Sequence, residues 1–256
     1  MKMTTIAPIR AFKDNYIWCL QRGTNAAVVD PGDAGPVFDY LRAEGLQLTA
    51  ILNTHHHADH VGGNVDLLSK YNVPVFGPAH ESIPGVTRKL VEGDEIEVPG
   101  IGVSLHVLDI PGHTAGHIAC YGEGLLFCGD TLFSCGCGRL FEGTPEQMHS
   151  SLSKLADLPS ETLVYCGHEY TLSNLRFADA AEPGNPALAE RLVAARAALD
   201  RGTPTLPSTI GTERATNPFL RVREPALVTS ASRYAGRTLT NAVEVFAALR
   251  KWKDGF

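Results

Sequence analysis

The sequence Thr-His-His-His-Ala-Asp-His occupies residues 54–60 and decides the interpretation of the chain. It follows directly on the apolar run Ala50–Asn53, which is typical of a buried strand. Its polar side chains would therefore stand at the end of a strand, where binding sites are commonly built. Two adjacent histidines alone would suit a solvated loop, but four potential ligands within six residues favour a metal site.

The spacing within this run indicates two neighbouring points of attachment. His55 and His57 can point the same way from an extended segment, because side chains alternate along extended backbone. Asp59 and His60 can converge on a neighbouring point. Imidazole nitrogens combined with a carboxylate are ligands that Zn²⁺, Fe²⁺ and Mn²⁺ accept.

Polar residues that follow apolar runs recur further along the chain. There are three: His113 after Leu105–Ile110, Asp130 after Leu125–Cys128, and His168 after Leu163–Cys166. A glycine directly precedes each of them, which allows a sharp turn and a close backbone approach. A lone histidine is more often a cap or a core residue, but three strand ends of one design indicate a site shared with residues 54–60.

The distribution of apolar residues predicts two kinds of structure. Short β-branched runs separated by Gly and Pro predict strands up to about residue 170, with helices over 34–44, 65–71 and 145–158. This mixture predicts an α/β fold of two sheets covered by helices rather than an all-β sandwich. After residue 172 the periodicity is helical, over 172–181, 186–200, 225–234 and 239–252, and 204–218 is expected to be a loop.

Composition excludes several classes of partner. With 256 residues and 44% hydrophobic content, the chain can form one large domain, or one domain plus an appendage. A net charge of -6 argues against nucleic-acid binding, which needs clustered Lys and Arg. No stretch approaches the roughly 20 apolar residues of a membrane span, and the N-terminus lacks the apolar core of a signal peptide. We therefore expect no membrane partner and a cytoplasmic location.

The six cysteines lack the spacing of a zinc ribbon or of a disulfide scaffold. We interpret them as reduced packing or loop residues. Cys135 and Cys137 are separated by one glycine, a poor chelate spacing, although a redox role or an adventitious metal contact is the alternative.

Taken together, these motifs resemble those of the metallo-β-lactamase superfamily. The resemblance depends on residues 54–60, the Pro-Gly-His-Thr at 111–114, the Gly-Asp at 129–130 and the Gly-His at 167–168. Within the superfamily, the chain resembles the hydroxyacylglutathione hydrolases, also called glyoxalase II. The segments that carry the narrower resemblance are 129–133, 135–139, 141–144, 167–171 and the helical C-terminal part. The resemblance covers essentially the whole chain.

The resemblance implies two divalent metal ions per chain, Zn²⁺ with Fe or Mn as alternatives. One ion would be bound by His55, His57 and His113, the second by Asp59, His60 and His168, with Asp130 bridging them. Asp59 and Asp130 would serve catalysis by holding a metal-bridged hydroxide. His56 and His117 would lie outside the ligand set, and His117 is expected to have a structural or hydrogen-bonding role.

The implied fold is an αββα sandwich over residues 1–171, followed by a smaller all-helical domain over 172–256 that recognises glutathione. The implied reaction is hydrolysis of the thioester of S-(2-hydroxyacyl)glutathione, typically S-D-lactoylglutathione, to D-lactate and glutathione. This reaction is the second step of methylglyoxal degradation. The protein would act as a monomer on this small-molecule substrate.

The resemblance also implies substrate-binding residues. They are Arg139, Phe141, Tyr170, Arg250 and Lys253. Phe141 stands where some members have a tyrosine, and Arg139 where some have a lysine, so we expect altered affinity with catalysis preserved. Arg250 and Lys253 share a helix face suited to a carboxylate, although cations at a solvated helix end are the alternative.

Other functions remain possible on the same fold. A β-lactamase, a lactonase, a phosphodiesterase or a persulfide dioxygenase would reuse the ligands with different substrate loops. A catalytically silent regulatory module would have lost ligands, and none is missing here. A phosphodiesterase acting on RNA would need a basic surface, which the acidic composition does not offer.

Overall fold

The computed structural model describes residues 4–256, so that Met1–Met3, part of the stretch that argued against a signal peptide, lie outside the described residues. The chain divides into two compact units. The first comprises the chain up to Asp109 together with Thr114–Gly129, and the second comprises Ile110–His113 together with Asp130–Phe256. The boundary expected at residue 171 stays a prediction.

The first unit contains a mixed sheet of six strands in sequence order. They are β1 (Thr5–Ala11), β2 (Asn15–Arg22), β3 (Asn25–Val29), β4 (Gln47–Leu52), β5 (Val75–Pro78) and β6 (Arg88–Leu90). The first three strands are antiparallel neighbours, and β3 to β6 are parallel. Parallel neighbours need crossover connections, and helices supply two of them.

A second set of strands in this unit is antiparallel throughout. It consists of β7 (Glu95–Glu97), β8 (Ser104–Asp109), β9 (Ile118–Gly122) and β10 (Leu125–Gly129), each paired with the next. Sheets and crossover helices together form the layered α/β arrangement that the sequence predicted.

Helices of the first unit are α1 (Ala34–Glu44), α2 (Ala58–Val61) and α3 (Asn64–Lys70). Helix α1 begins where the Asp33 side chain accepts from the Gly35 amide at 2.8 Å, and it ends at Gly45 with φ 64°. Val37 and Leu41 of α1 are buried in the core that covers the first sheet. This core fixes β4, the strand that leads into residues 54–60.

The second unit is mostly helical. Its helices are α4 (Pro145–Ala156), α5 (Thr171–Ala181), α6 (Pro186–Asp200), α7 (Ile210–Thr216), α8 (Pro225–Ala235) and α9 (Ala242–Asp254). Its strands are the pairs β11 (Leu132–Phe133) with β12 (Gly136–Cys137), and β13 (Leu163–Cys166) with β14 (Ser208–Thr209). The prediction of a helical C-terminal part is confirmed.

Several sequence predictions of single elements can be compared with the structure. Helices α1 and α6 begin and end at the predicted residues. Asp33 caps the start of α1, and Asn185 with Pro186 marks the start of α6. The prediction of a loop over 204–218 is wrong, since it contains β14 and α7. Helix α7 has seven residues without apolar periodicity, and its start depends on the Thr209 hydroxyl, which accepts from the Thr212 amide at 3.0 Å.

The last helix begins three residues later than predicted, at Ala242 instead of Leu239, because the Asn241 side chain caps it. Within residues 4–256, no helix combines the length and the apolar composition that crossing a bilayer requires.

Candidate metal centre

Residues 54–60, here called the histidine loop, leave β4 as extended backbone and then turn into helix α2. His57 is still extended, with φ -60° and ψ 143°, and α2 begins at Ala58. The expected alternation therefore holds for His55 and His57, whereas Asp59 and His60 are placed by one helical turn. His55 and His60 are buried, and the Asp59 side chain is 43% exposed. The loop thus combines buried imidazoles with a carboxylate open to solvent.

The first two ring nitrogens of the loop lie close together. Nε2 of His55 is 3.2 Å from Nδ1 of His57. Two nitrogens bound to one tetrahedral zinc at about 2.0–2.1 Å would be separated by roughly 3.3 Å. The observed separation fits two ligands of a single ion.

The buried carboxylate of Asp30 fixes the protonation of both ends of the histidine loop. It accepts from the Thr54 amide at 2.8 Å, from the Thr54 hydroxyl at 2.7 Å and from Nδ1 of His60 at 3.1 Å. Because the Thr54 hydroxyl donates to Asp30, it accepts from Nδ1 of His55 at 3.0 Å. Both histidines therefore carry their proton on Nδ1, which leaves the Nε2 lone pair for a cation.

No role for Asp30 was predicted from the sequence, although its position after an apolar strand is a partial indication of one. It directly follows β3, and its φ of 55° is uncommon for a residue other than glycine. Like the other strand-end residues it is a polar residue after an apolar run, but valine rather than glycine directly precedes it. Pairing of β3 with β4 brings this strand end beside the histidine loop.

Two further side chains of the first unit hold the loop, and no sequence pattern predicted either of them. The Glu81 carboxylate, 3% exposed, contacts Nδ1 of His56 at 3.0 Å and also accepts from the Thr114 hydroxyl and the Gly116 amide. The Asn15 amide donates to the Asp59 carboxylate at 3.0 Å. These contacts orient the loop from both sides.

His117 was expected to lie outside the ligand set. Its ring is stacked on that of His55, with centroids 4.5 Å apart and planes inclined by 15°. Its Nδ1 donates to the carbonyl oxygen of Ile118 at 3.0 Å. Behind His117, Gly129 has φ 46°, and a Cβ there would lie 2.2 Å from the Thr54 hydroxyl. A glycine is therefore required at this strand end.

The second unit holds three of the predicted ligands within itself. One oxygen of Asp130, Oδ2, is 3.2 Å from Nε2 of His168 and 3.5 Å from Nε2 of His113. All three residues are buried. Nδ1 of His113 donates to the carbonyl oxygen of Arg139 at 2.9 Å, which leaves its Nε2 lone pair for a cation. A single carboxylate oxygen between two imidazole nitrogens is what a bridging ligand requires.

The donor chemistry of both units fits divalent metal ions. Each unit presents imidazole nitrogens and carboxylate oxygens at separations that suit ligands of a common ion, and three of the imidazoles have Nδ1 engaged as a donor. These sets suit zinc, iron or manganese and lack the oxygen-only character of calcium sites.

The predicted substrate residues lie in the second unit in different environments. The Tyr170 ring is stacked on His168 with centroids 4.8 Å apart, and Phe141 is 63% exposed with its ring against His113. Arg139 is exposed, whereas Arg250 is only 4% exposed. Desolvation, and then repulsion from neighbouring arginines, lowers the pKa of Lys253 to about 8.

Residues 133–139, here called the cysteine loop, are held by buried polar side chains from distant parts of the sequence. Cys135 has φ 57°, and its amide donates to the fully buried carboxylate of Glu213 at 2.7 Å. The Asn217 amide donates to the carbonyl oxygens of Phe133 and Gly136 at 3.1 and 2.8 Å, and also to Glu213. Burial raises the pKa of Glu213. This support comes from the segment that the sequence predicted to be a loop.

All six cysteines are buried thiols, which agrees with their interpretation as reduced packing or loop residues. Burial raises the pKa of Cys135 to about 12 and that of Cys137 to about 11. Both remain thiols at neutral pH, which weakens the alternative of a reactive pair.

Comparison with known proteins gives two matches over consecutive parts of the chain. Residues 12–168 match the model of the metallo-beta-lactamase superfamily, and residues 169–256 match the model described as hydroxyacylglutathione hydrolase C-terminus. The cations of α9 therefore fall in the second match.

Similar proteins match most of the chain. A hydroxyacylglutathione hydrolase of Alkalilimnicola ehrlichii is 62% identical over 254 residues, which cover 98% of this chain and 99% of that protein. One of Nitrosomonas europaea is 56% identical over 254 residues, covering 99% of this chain and 97% of that protein. A solved structure of TTHA1623 in a di-iron-bound form has a TM-score of 0.57 at 28% identity, over 86% of this chain and 100% of that chain.

Proposed function

The chain belongs to the hydroxyacylglutathione hydrolase family of the metallo-β-lactamase superfamily, and we propose that it hydrolyses the thioester of S-(2-hydroxyacyl)glutathione, typically S-D-lactoylglutathione. The proposal depends most on the match over residues 169–256. The histidine loop lies in the part that matches the broad metallo-beta-lactamase superfamily, whereas the C-terminal part matches a model described by the narrower name hydroxyacylglutathione hydrolase. The products would be D-lactate and glutathione.

The proposed ligand assignment follows the family pattern. His55, His57 and His113 would bind one divalent ion, and Asp59, His60 and His168 the other, with Asp130 shared. Two divalent ions held in this way would lower the pKa of a water to about 7 and polarise the thioester carbonyl. Zinc is the metal we propose, because it accepts imidazole and carboxylate ligands equally well, and iron or manganese would satisfy the same donors.

The protein's own residues would prepare the site for this chemistry. Asp30 keeps the proton of His60 on Nδ1, and the Arg139 carbonyl does the same for His113, so both present Nε2. The Asn15 amide orients the Asp59 carboxylate. Tyr170, stacked on His168, places a phenol beside a proposed ligand, where it can contact the substrate. Rigid support of this kind means that little reorganisation is needed during the reaction.

The leaving group suits a site with no dedicated acid. A thiol with a pKa of about 8.5 can depart as a thiolate, whereas an amide nitrogen must be protonated first. The exposed Arg139 and the partly buried Lys253 would bind the glutathione part of the substrate through its carboxylates. We also propose that the enzyme is a cytoplasmic monomer. Its buried cysteine thiols fit a reducing compartment.

The activity is tested by a parallel screen of metal-reconstituted protein. The substrates are S-D-lactoylglutathione, glutathione persulfide, a β-lactam and a phosphodiester, with metal counted per chain. We expect turnover of the thioester above the other three. Tight metal binding without thioester hydrolysis would refute the proposed substrate but would still support the proposed metal site.

A matched pair of variants links the activity to the proposed ligands. His113→Ala should abolish turnover and reduce the metal content, because it removes a buried imidazole whose Nε2 lies 3.5 Å from Asp130. His106→Ala removes an exposed imidazole from β8 and should change neither. Equal loss in both variants would contradict the assignment.

A further inference from the structure

Four cationic side chains of the second unit lie close enough together to repel one another. Lys253 has its pKa lowered to about 8, first by desolvation and then by the charges of Arg250, Arg176 and Arg139. Its ammonium donates only to the carbonyl oxygen of Ser173, at 3.3 Å, among the described residues. Repulsion of this kind costs stability unless an anion is bound, so the group is suited to an anionic ligand.

The guanidinium of Arg250 has one edge left for such an anion. Its side chain is 5% exposed, and Nη1 donates to the Cys137 carbonyl oxygen at 2.8 Å. Nη2 donates to Oδ1 of Asp254 at 3.0 Å. Because Nη1 is occupied by the backbone and the rest of the group is buried, an incoming carboxylate can reach Arg250 only where Asp254 now lies.

Asp254 contacts a second member of the cationic group. Its Oδ1 is also 3.7 Å from Nε of Arg139, and its side chain is 44% exposed. Asp254 is the last residue of α9, where a negative charge is disfavoured by the helix dipole. The helix dipole therefore does not favour a carboxylate at this position, whereas its ion pair with Arg250 in the same helix and the nearby Arg139 do.

We propose that Asp254 is an internal competitor for the substrate: its carboxylate occupies the place of a substrate carboxylate in the free enzyme and leaves it when substrate binds. This inference rests on the proposed function. The glycine carboxylate is the expected rival, because it is the net anionic end of glutathione, whereas the γ-glutamyl end carries an ammonium beside its carboxylate. Asp254 would return as product glutathione leaves, which weakens product binding.

The test is Asp254→Asn in the metal-reconstituted enzyme. We expect KM for S-D-lactoylglutathione to fall about threefold to tenfold without a rise in kcat, because the charge-assisted bond to Arg250 no longer competes. The dissociation constant of glutathione, measured by calorimetry, should fall by the same factor. Asp254→Glu keeps the carboxylate and should stay close to the wild type.

A substrate variant and a protein variant complete the design. The thioester of glutathione with an amidated glycine carboxylate should show no gain from Asp254→Asn. Asp200→Asn removes a carboxylate from the exposed last residue of α6, away from this cationic group, and should leave KM and glutathione binding unchanged.

A rise in KM for Asp254→Asn, or no change, would overturn the proposal. A rise would mean that Asp254 positions Arg250 for the substrate instead of competing with it. If the wild-type enzyme fails to hydrolyse S-D-lactoylglutathione but the calorimetric gain for glutathione persists, the proposed function fails and the competitor stands.

Discussion

The histidine loop and the cysteine loop are both fixed by buried polar side chains, but their supports come from different distances along the chain. The histidine loop is held by Asp30, Glu81 and Asn15, which are 24 to 44 positions from their partners. The cysteine loop is held by Glu213, Asn217 and Arg250, which are 78 to 113 positions away. The supporting residues of the histidine loop are therefore nearer in sequence, whereas those of the cysteine loop depend on how the helices of the second unit pack.

This difference separates the tasks of the two loops. Residues of the histidine loop offer donor atoms whose spacing depends on one strand end and one helical turn. Residues of the cysteine loop present Arg139 and, through Cys137, contact the cationic end of α9. We expect changes at the first loop to affect metal content and kcat, and changes at the second to affect KM.

The largest effect is expected when the shared carboxylate loses its charge. Asp130→Asn keeps the size of the side chain but weakens an oxygen that lies beside both His113 and His168. We expect kcat/KM to fall about 10³-fold, as for the loss of a strong electrostatic group, with metal per chain reduced. Asp179→Asn, on the exposed face of α5, is the control. Full metal content with full activity would contradict a ligand role for Asp130.

The next effect tests the remote support of the cysteine loop. Glu213→Ala leaves the buried Cys135 amide without its acceptor, so the free energy of unfolding should fall by about 2–3 kcal/mol in a urea titration. KM should rise while kcat stays near the wild-type value.

Two further variants serve as comparisons for the change in the free energy of unfolding. Glu213→Gln keeps an acceptor oxygen for Cys135 and should lose less stability. Glu190→Ala, exposed on α6, should change it by less than about 0.5 kcal/mol. A loss of kcat as large as the rise in KM would show that the two loops do not have separate tasks.

These supports also mark how far the sequence could predict the structure. Helices α1 and α6 were predictable from a cap, a proline and apolar spacing that lie within a few residues. The seven proposed ligands stay a prediction, which depends on the histidine loop, on three strand ends and on the family resemblance. Helix α7 was missed, because its buried Glu213 is polar and gains its partners only when residues 78 positions apart meet. Asp30 also follows an apolar run, but Val29 rather than glycine precedes it, so the pattern shared by the other strand ends does not include it.

A smaller loss is expected from a change to the local support of the histidine loop. Asn at position 30 tolerates the positive φ but presents an amide to His60, which would move the imidazole proton to Nε2. Asp30→Asn should lower metal affinity or activity by about 10- to 100-fold. Asp33→Asn preserves the cap of α1 and should have no effect. Unchanged metal affinity in Asp30→Asn would remove the proposed tautomer control.

The smallest effect concerns pH at the cationic group. The pKa of Lys253 is lowered to about 8, so its positive charge is present below that pH and is lost as the pH rises through it. KM for the anionic substrate should therefore rise about threefold between pH 7 and 9, a modest loss typical of one partly solvated charge pair. Lys253→Arg should flatten this profile. A profile that persists in Lys253→Arg would assign the pH dependence to another group.

We propose that the donors of the histidine loop, together with His113, Asp130 and His168, hold two ions, and that the protein needs both to hydrolyse a glutathione thioester. The most direct test is a titration of metal-free protein with Zn²⁺, in which the rate of S-D-lactoylglutathione hydrolysis is measured at each ratio of metal to chain. We predict that the rate rises to a plateau at two equivalents. A plateau at one equivalent would contradict the two-ion site, and no hydrolysis at any ratio would contradict the thioesterase activity.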